Sequence, residues 1–231
     1  MLPYKKVPLM FCLLVLGSIF SSESMAQSLN GTTGLVTIPT ARMQKDGTLS
    51  IGVSYFDQNS QVYFDGTKNI GVAYINMTFL PFLELVYRVN KALYYHTGYI
   101  MDRLPMIRLR LLNEKTYIPA IAIGVHDFGS TSDKSTIHFN ATYIVLSKKV
   151  TDFDFHLGYA PPLMKAVYHQ FDGLFGGLAY KPANAVEVYA EYDSRNVNAG
   201  LQFQFLKHFA INLASLNFNS YAAGINFRVK L

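Results

Sequence analysis

The sequence predicts an all-β protein, a closed antiparallel up-and-down transmembrane barrel of about twelve strands. Three observations predict it. Apolar and polar or small residues alternate almost without pause from residue 48 to the C-terminus. Only 15% of residues are charged, against about 25% in an ordinary soluble protein. The connections between the alternating runs are long and short by turns, as outer loops and tight periplasmic turns require.

The alternation is cleanest at the C-terminal end. AVEVYAEYD, NVNAGLQFQF, HFAINLASL and YAAGINFRVKL follow one another from residue 185, separated by SR, LK and NFNS. Side chains on a strand point to opposite faces in turn, so each run has one apolar and one polar face. Separations this short are hairpin spacings. The final run, residues 225–231, resembles the C-terminal strand that outer-membrane assembly machinery reads, with Leu231 where an aromatic residue is usual.

At the other end Lys5 and Lys6 precede an apolar stretch, residues 7–20, and a small-x-small site at 24–26. This is the pattern of a cleaved secretory signal peptide, residues 1–26. The stretch is shorter than the roughly 20 residues of a helical span. Cys12 lies inside it and not in a lipobox, so the mature chain carries no cysteine, which suits an exported protein without disulfides. Residues 27–47 follow, punctuated by Gly31, Gly34, Pro39 and Gly47. They read as a periplasmic or plug segment, packed against or into the barrel mouth. A partner-docking segment involving Gly34, Pro39, Arg42, Asp46 and Gly47 is the alternative.

Residues 48–231 form the barrel. LSIGVSYF turns Leu49, Ile51, Val53 and Tyr55 outward; FLELVYRVN turns out Leu83, Leu85, Tyr87 and Val89; MIRLRLLN turns out Ile107, Leu109 and Leu111. In TIHFNATYIVLS the alternation assigns Ile137, Phe139, Ala141, Tyr143 and Val145 to the outer face. Long connections are expected at 57–68, 91–104, 128–135 and 161–171, with short ones between them; 194–195 and 217–219 break the pattern. Tyr55, Phe79, Phe82, Tyr87, Tyr159 and Tyr192 are placed to form interfacial girdles. In lipid the backbone polar groups must all be paired, so such a sheet must close.

Closure puts charge inside. Glu84, Arg88, Arg108, Arg110, Asp154, Glu187, Glu191, Arg228 and Lys230 all fall on the inner face. An internal salt-bridge network is the plainer expectation. The sharper one is a basic strip, led by Arg108 and Arg110 two residues apart, that guides an acidic polymer. Net charge of +5 is too weak and scattered to point to nucleic acid.

No catalytic chemistry is supported. His126, Asp127 and Ser130 occur in HDFGS, near Ser135 and His138, the residue types of a lipid-active barrel hydrolase. Yet no G-x-S-x-G elbow is present, and His126 faces inward where Ser130 has entered a loop. No zinc-binding spacing and no phosphate-cradling loop occur, so no metal or cofactor is expected.

Five segments carry a family resemblance. GLVTIPTARMQKDGTLSIGVSY, LPFLELVYR, RLRLLNEKTYIPAIAIGVHDFGST, YIVLSKKVTDFDFHLGY and VYAEYDSRNVNAGL resemble the YjbH family of outer-membrane barrels associated with exopolysaccharide and capsule production. The resemblance runs from about residue 31 to near the C-terminus, although the better-known members are several times longer. It implies an outer-membrane location, a non-catalytic role in polysaccharide secretion or surface assembly with export proteins as partners beside membrane lipid, and no catalytic residues; an acidic exopolysaccharide is what the inner basic residues would suit. A scaffold barrel that docks a periplasmic partner without transport is the first alternative.

Overall fold

A computed structural model of the chain describes residues 26–60, 68–93, 101–128, 139–163 and 169–231. The expected signal peptide, residues 1–26, lies outside the described residues except for Ala26. Those residues contain twelve strands: β1 (Thr48–Phe56), β2 (Ile70–Leu80), β3 (Leu83–Ala92), β4 (Met101–Leu112), β5 (Ala120–His126), β6 (Ala141–Val150), β7 (Phe153–Ala160), β8 (Gly173–Ala183), β9 (Val186–Tyr192), β10 (Val197–Phe205), β11 (Phe209–Leu216) and β12 (Ser220–Lys230). Each pairs antiparallel with its sequence neighbours, and β1 closes the barrel on β12 from Thr48↔Lys230 to Phe56↔Ala222. The Leu231 amide donates to the Gly47 carbonyl at 2.8 Å, so both ends of the barrel chain sit on one rim. The turns 81–82, 151–152, 184–185 and 206–208 lie on that rim too, the periplasmic side in barrels of this type.

The outer face is apolar and bare. Ile51, Val53, Ile75, Leu157, Leu213 and Ile225 are all 41–56% exposed. Leaving such a belt in water costs about 25 cal/mol per Å², whereas lipid removes that cost. Among the described residues no helix is long and apolar enough to cross a membrane; the crossing is made by strands. The chain is an outer-membrane β-barrel. Phe153 stacks on Tyr180 at 4.9 Å, and Phe209 lies 5.1 Å from Phe227, all near the terminal rim. Tyr55, Tyr159 and Tyr192 stand near the opposite rim. Tyr87 differs from expectation: it lies mid-strand, between Ile75 and Pro105.

Three details correct the sequence-based picture. β4 begins at Met101, so the preceding connection is shorter than 91–104. β6 begins at Ala141, after a bend at Phe139 and an isolated bridge at Asn140, and the expected strand residues 136–138 lie outside the described residues. Its faces are also reversed: Ala141, Tyr143 and Val145 are buried inside, while Ile144 is 44% exposed outside. The run is apolar on both faces, so alternation alone could not orient it. Pairing decides. Gly124 stands opposite Tyr143, whose ring occupies the space a Cβ at Gly124 would take.

The same device recurs. Gly52 faces Tyr74 and Gly158 faces Phe175 across neighbouring strands, and each ring lies over its glycine. An aromatic folded over a glycine fills the gap the missing side chain leaves and pins the register. Gly158→Val should therefore destabilise the barrel by about 1–3 kcal/mol through overpacking. The expected readout is a lower temperature for the heat-modifiable shift in gel mobility.

Candidate functional site

The inside of the barrel is the site, and the chain itself occupies it. Residues 26–44 run through the lumen, where Ser28, Asn30, Thr32 and Ile38 are wholly buried. The segment folds on itself. Leu29 donates to the Val36 carbonyl at 2.9 Å, Gly34 bridges Pro39, and the Leu35 amide reaches the Ile38 carbonyl at 3.0 Å. Gly34 is required there because a Cβ would strike the Ile38 carbonyl oxygen. The barrel makes room with glycines: Leu35 packs on Gly177, Val36 on Gly200 and Leu29 on Gly224. Those three glycines face inward on β8, β10 and β12. They are seats for side chains of the segment.

Two buried carboxylates hold it. Glu191, on β9, accepts from the consecutive amides of Val36 (2.9 Å), Thr37 (3.0 Å) and Ile38 (3.3 Å), from the Thr37 hydroxyl (2.6 Å) and from Asn198 (3.0 Å). Glu84, on β3, accepts from the Thr33 amide (3.1 Å) and hydroxyl (2.5 Å). Arg108 completes this second clamp. Its guanidinium lies 3.4 Å from Glu84 and donates to the Arg42 carbonyl at 2.6 Å and to the Thr33 carbonyl.

At the terminal rim an ionic latch finishes the job. Arg42 pairs with Asp154 at 2.7 Å and with Glu114 at 2.5 Å, and Lys148 joins Glu114 at 3.0 Å. Burial works against the Arg42 charge, but its bonds to Asp154 and Glu114 win and raise its pKa. Glu114 is also opposed by desolvation. Its bonds from Lys148, Arg42 and the Lys149 amide outweigh that, and its carboxyl is held below its ordinary value.

The inner charges expected from the sequence divide accordingly. Glu84, Arg108, Asp154 and Glu191 serve the segment rather than one another, apart from the Arg108–Glu84 contact. Arg108 and Arg110 make no strip: Arg108 is buried under the segment, while Arg110 donates to the Pro81 carbonyl at the exposed strand end. Lys230 is exposed at the same rim. Arg228 faces inward within electrostatic reach of Glu187 and Glu84. Asp46 is exposed in the turn before β1, whereas Gly34, Pro39 and Arg42 belong to the held segment and Gly47 joins it to β1. Arg88 lies under the opposite mouth, donating to Gln170 at 3.3 Å. Gln170 and Phe171 fold into that mouth and cover it.

Among the described residues His126 and His156 both sit in packed, hydrogen-bonded surroundings. His126 contacts Gln170 (3.3 Å) and Tyr143 (3.2 Å) and is walled by Phe171. Ser130, Ser135 and His138 lie outside the described residues. The alternation that puts Val145 outside would carry Ser147 outside with it, whereas the structure brings Ser147, His156 and Asp154 together inside. Ser147 lies 2.7 Å from His156, with Asp154 3.9 Å beyond. Ser147 accepts the Ala41 amide at 2.8 Å, and Asp154 is bound by Arg42, so the series clamps the segment. Among the described residues no group of three or more His, Cys, Asp or Glu could hold a metal.

Comparison with known proteins adds the following. The YjbH family model, Exopolysaccharide biosynthesis protein YbjH, matches residues 26–165. The "Uncharacterized lipoprotein YjbH" of Escherichia coli (strain K12) is 25% identical over an alignment covering 88% of this chain and 35% of that protein. The chain thus spans about a third of the length of this curated relative. Outer membrane phospholipase A from Escherichia coli is 11% identical over 80% of this chain and 92% of its own, with a TM-score of 0.43. The Salmonella typhi outer membrane phospholipase dimer gives 11% over 82% and 94%, with a TM-score of 0.46.

Glu191→Ala should strand several buried amide donors, each costing about 1–3 kcal/mol. A reporter Met43→Cys, in a chain with Cys12→Ser, should then react with a membrane-impermeant maleimide much faster than in the otherwise unchanged protein. Glu114 sets a pH dependence. Its folded pKa lies below the ordinary 4.5, so its contribution is complete above that value and is lost as pH falls through the folded pKa. Glu114→Gln should thus lower the melting temperature at pH 7, and the difference from wild type should shrink in acid.

Proposed function

This chain belongs to the YjbH family, and from that premise we propose that it is a non-catalytic outer-membrane barrel that assists secretion or surface assembly of exopolysaccharide while its own lumen is closed. One observation carries the closed-lumen part: residues 26–44 fill the barrel and are bound by Glu84, Arg108 and Glu191. A polymer strand cannot share that space. Either the segment leaves during transport, or the barrel supports export at its rim without conducting. The burial of His126 behind Gln170, Tyr143 and Phe171 supports a non-catalytic role. Lipid surrounds the apolar belt, and periplasmic or outer-membrane export proteins are the partners the terminal rim would meet.

The scaffold alternative is favoured by the same occupied lumen, together with the loop 113–119. This loop presents Tyr117 at 93% exposure on the terminal rim, where a periplasmic partner could bind without any polymer passing through. Two measurements separate these roles. A deletion strain should lose polysaccharide from the cell surface while retaining it inside; unchanged surface polysaccharide would remove the export role. In a planar bilayer the wild-type barrel should be silent, and Glu84→Ala with Glu191→Ala should conduct. A conducting wild type would overturn the closed lumen.

A further inference from the structure

A cavity of about 270 Å³ lies between the lumen segment and the turns that join β6 to β7 and β8 to β9. That volume is roughly the share of nine liquid waters, room for a single sugar ring and not for a folded partner. Its wall carries both signs: Arg42, Lys149 and Lys181 against Asp152, Asp154 and Glu187. Arg42 and Asp154 are already matched to each other. Among the described residues Lys149, Lys181, Asp152 and Glu187 make no contact ion pair, although Lys181 and Lys149 lie within electrostatic reach of Glu187. The two lysines face inward on β6 and β8. Lys149 stands opposite Asp154, which stands opposite Ala179, two residues from Lys181. Lys149 and Asp152 are exposed, so the cavity opens toward the terminal rim.

We propose that this cavity is a binding subsite for one acidic sugar unit of a polysaccharide. Lys149 and Lys181 take the carboxylate, and Glu187 and Asp152 accept hydrogen bonds from ring hydroxyls. The polymer class rests on the exopolysaccharide role proposed above; the acidic class comes from two ammonium groups that no carboxylate touches. A neutral sugar would leave both ammonium groups without a contacting anion. A bare inorganic anion would meet Glu187 and Asp152 with nothing to donate to them. A cation would face the lysines. A ligand with one anionic group and several hydroxyl donors gives each of these four side chains a direct partner.

The test uses the purified full barrel in detergent, with trigalacturonate as probe and maltotriose, sulfate and triglutamate as comparisons, read by saturation-transfer NMR and titration. Trigalacturonate should bind saturably and maltotriose should not. Lys149→Gln with Lys181→Gln should weaken binding by at least about tenfold, the loss expected when charge-assisted hydrogen bonds are removed. Neither lysine side chain is tied to another part of the barrel, so heat-modifiable mobility should be retained; Lys181→Gln alone serves if it is not. Failure of trigalacturonate to bind, or equal binding to the variant, overturns the subsite. Equal competition by sulfate or triglutamate overturns it as well, since the attraction is then to negative charge alone. Absence of binding with surface polysaccharide still lost in the deletion strain removes the subsite and leaves the export role standing. Unchanged surface polysaccharide in that strain removes the export role whatever the sugar does in solution.

Discussion

A carboxylate taken out of water must be hydrogen-bonded on nearly every side or it will not stay charged and buried. Glu191 and Glu84 meet that condition through one piece of chain. Glu191 is wrapped by the amides and hydroxyl of residues 36–38, and Glu84 by Thr33 and Arg108. Barrel and lumen segment are therefore mutually dependent. Without the segment the inner wall exposes two carboxylates and an arginine in a narrow space. Without the wall the segment's backbone donors have no acceptors.

The barrel resolves two opposite solvents with one pattern. Outside, exposed aliphatic side chains face lipid; inside, polar and small residues face the segment. Glycine has two uses on the inner face, and the neighbour decides which. At 52, 124 and 158 an aromatic ring from the next strand covers the glycine; at 177, 200 and 224 a side chain of the lumen segment does so. Both close the voids a tilted, curved sheet leaves, and the second also fixes where the segment sits.

Much of this was legible in residue order. Strand number, the outward positions of β1, β3, β5 and β9, and the return of the C-terminus beside β1 all follow from period-two alternation and short turns. β6 was not legible, because both of its faces are apolar and only the fit of Tyr143 over Gly124 chooses between them. Among the inner charges Glu84, Arg108 and Glu191 are buried in the barrel, and sequence spacing speaks only of the face. It could not name their partners, since Thr33 and Glu84 lie 51 residues apart and Thr37 and Glu191 lie 154 apart.

The sequence by itself determined a closed membrane barrel with a polar interior, because alternation leaves an apolar outer face and backbone pairing in lipid admits no free edge. The tertiary structure decided that the interior is filled. That outcome depends on shape and charge meeting across the lumen: Leu35 and Val36 against bare glycines, and three successive amides against Glu191. Contacts of that kind have no period along the chain. They arise only when closure brings β9 and residues 36–38 to the same place.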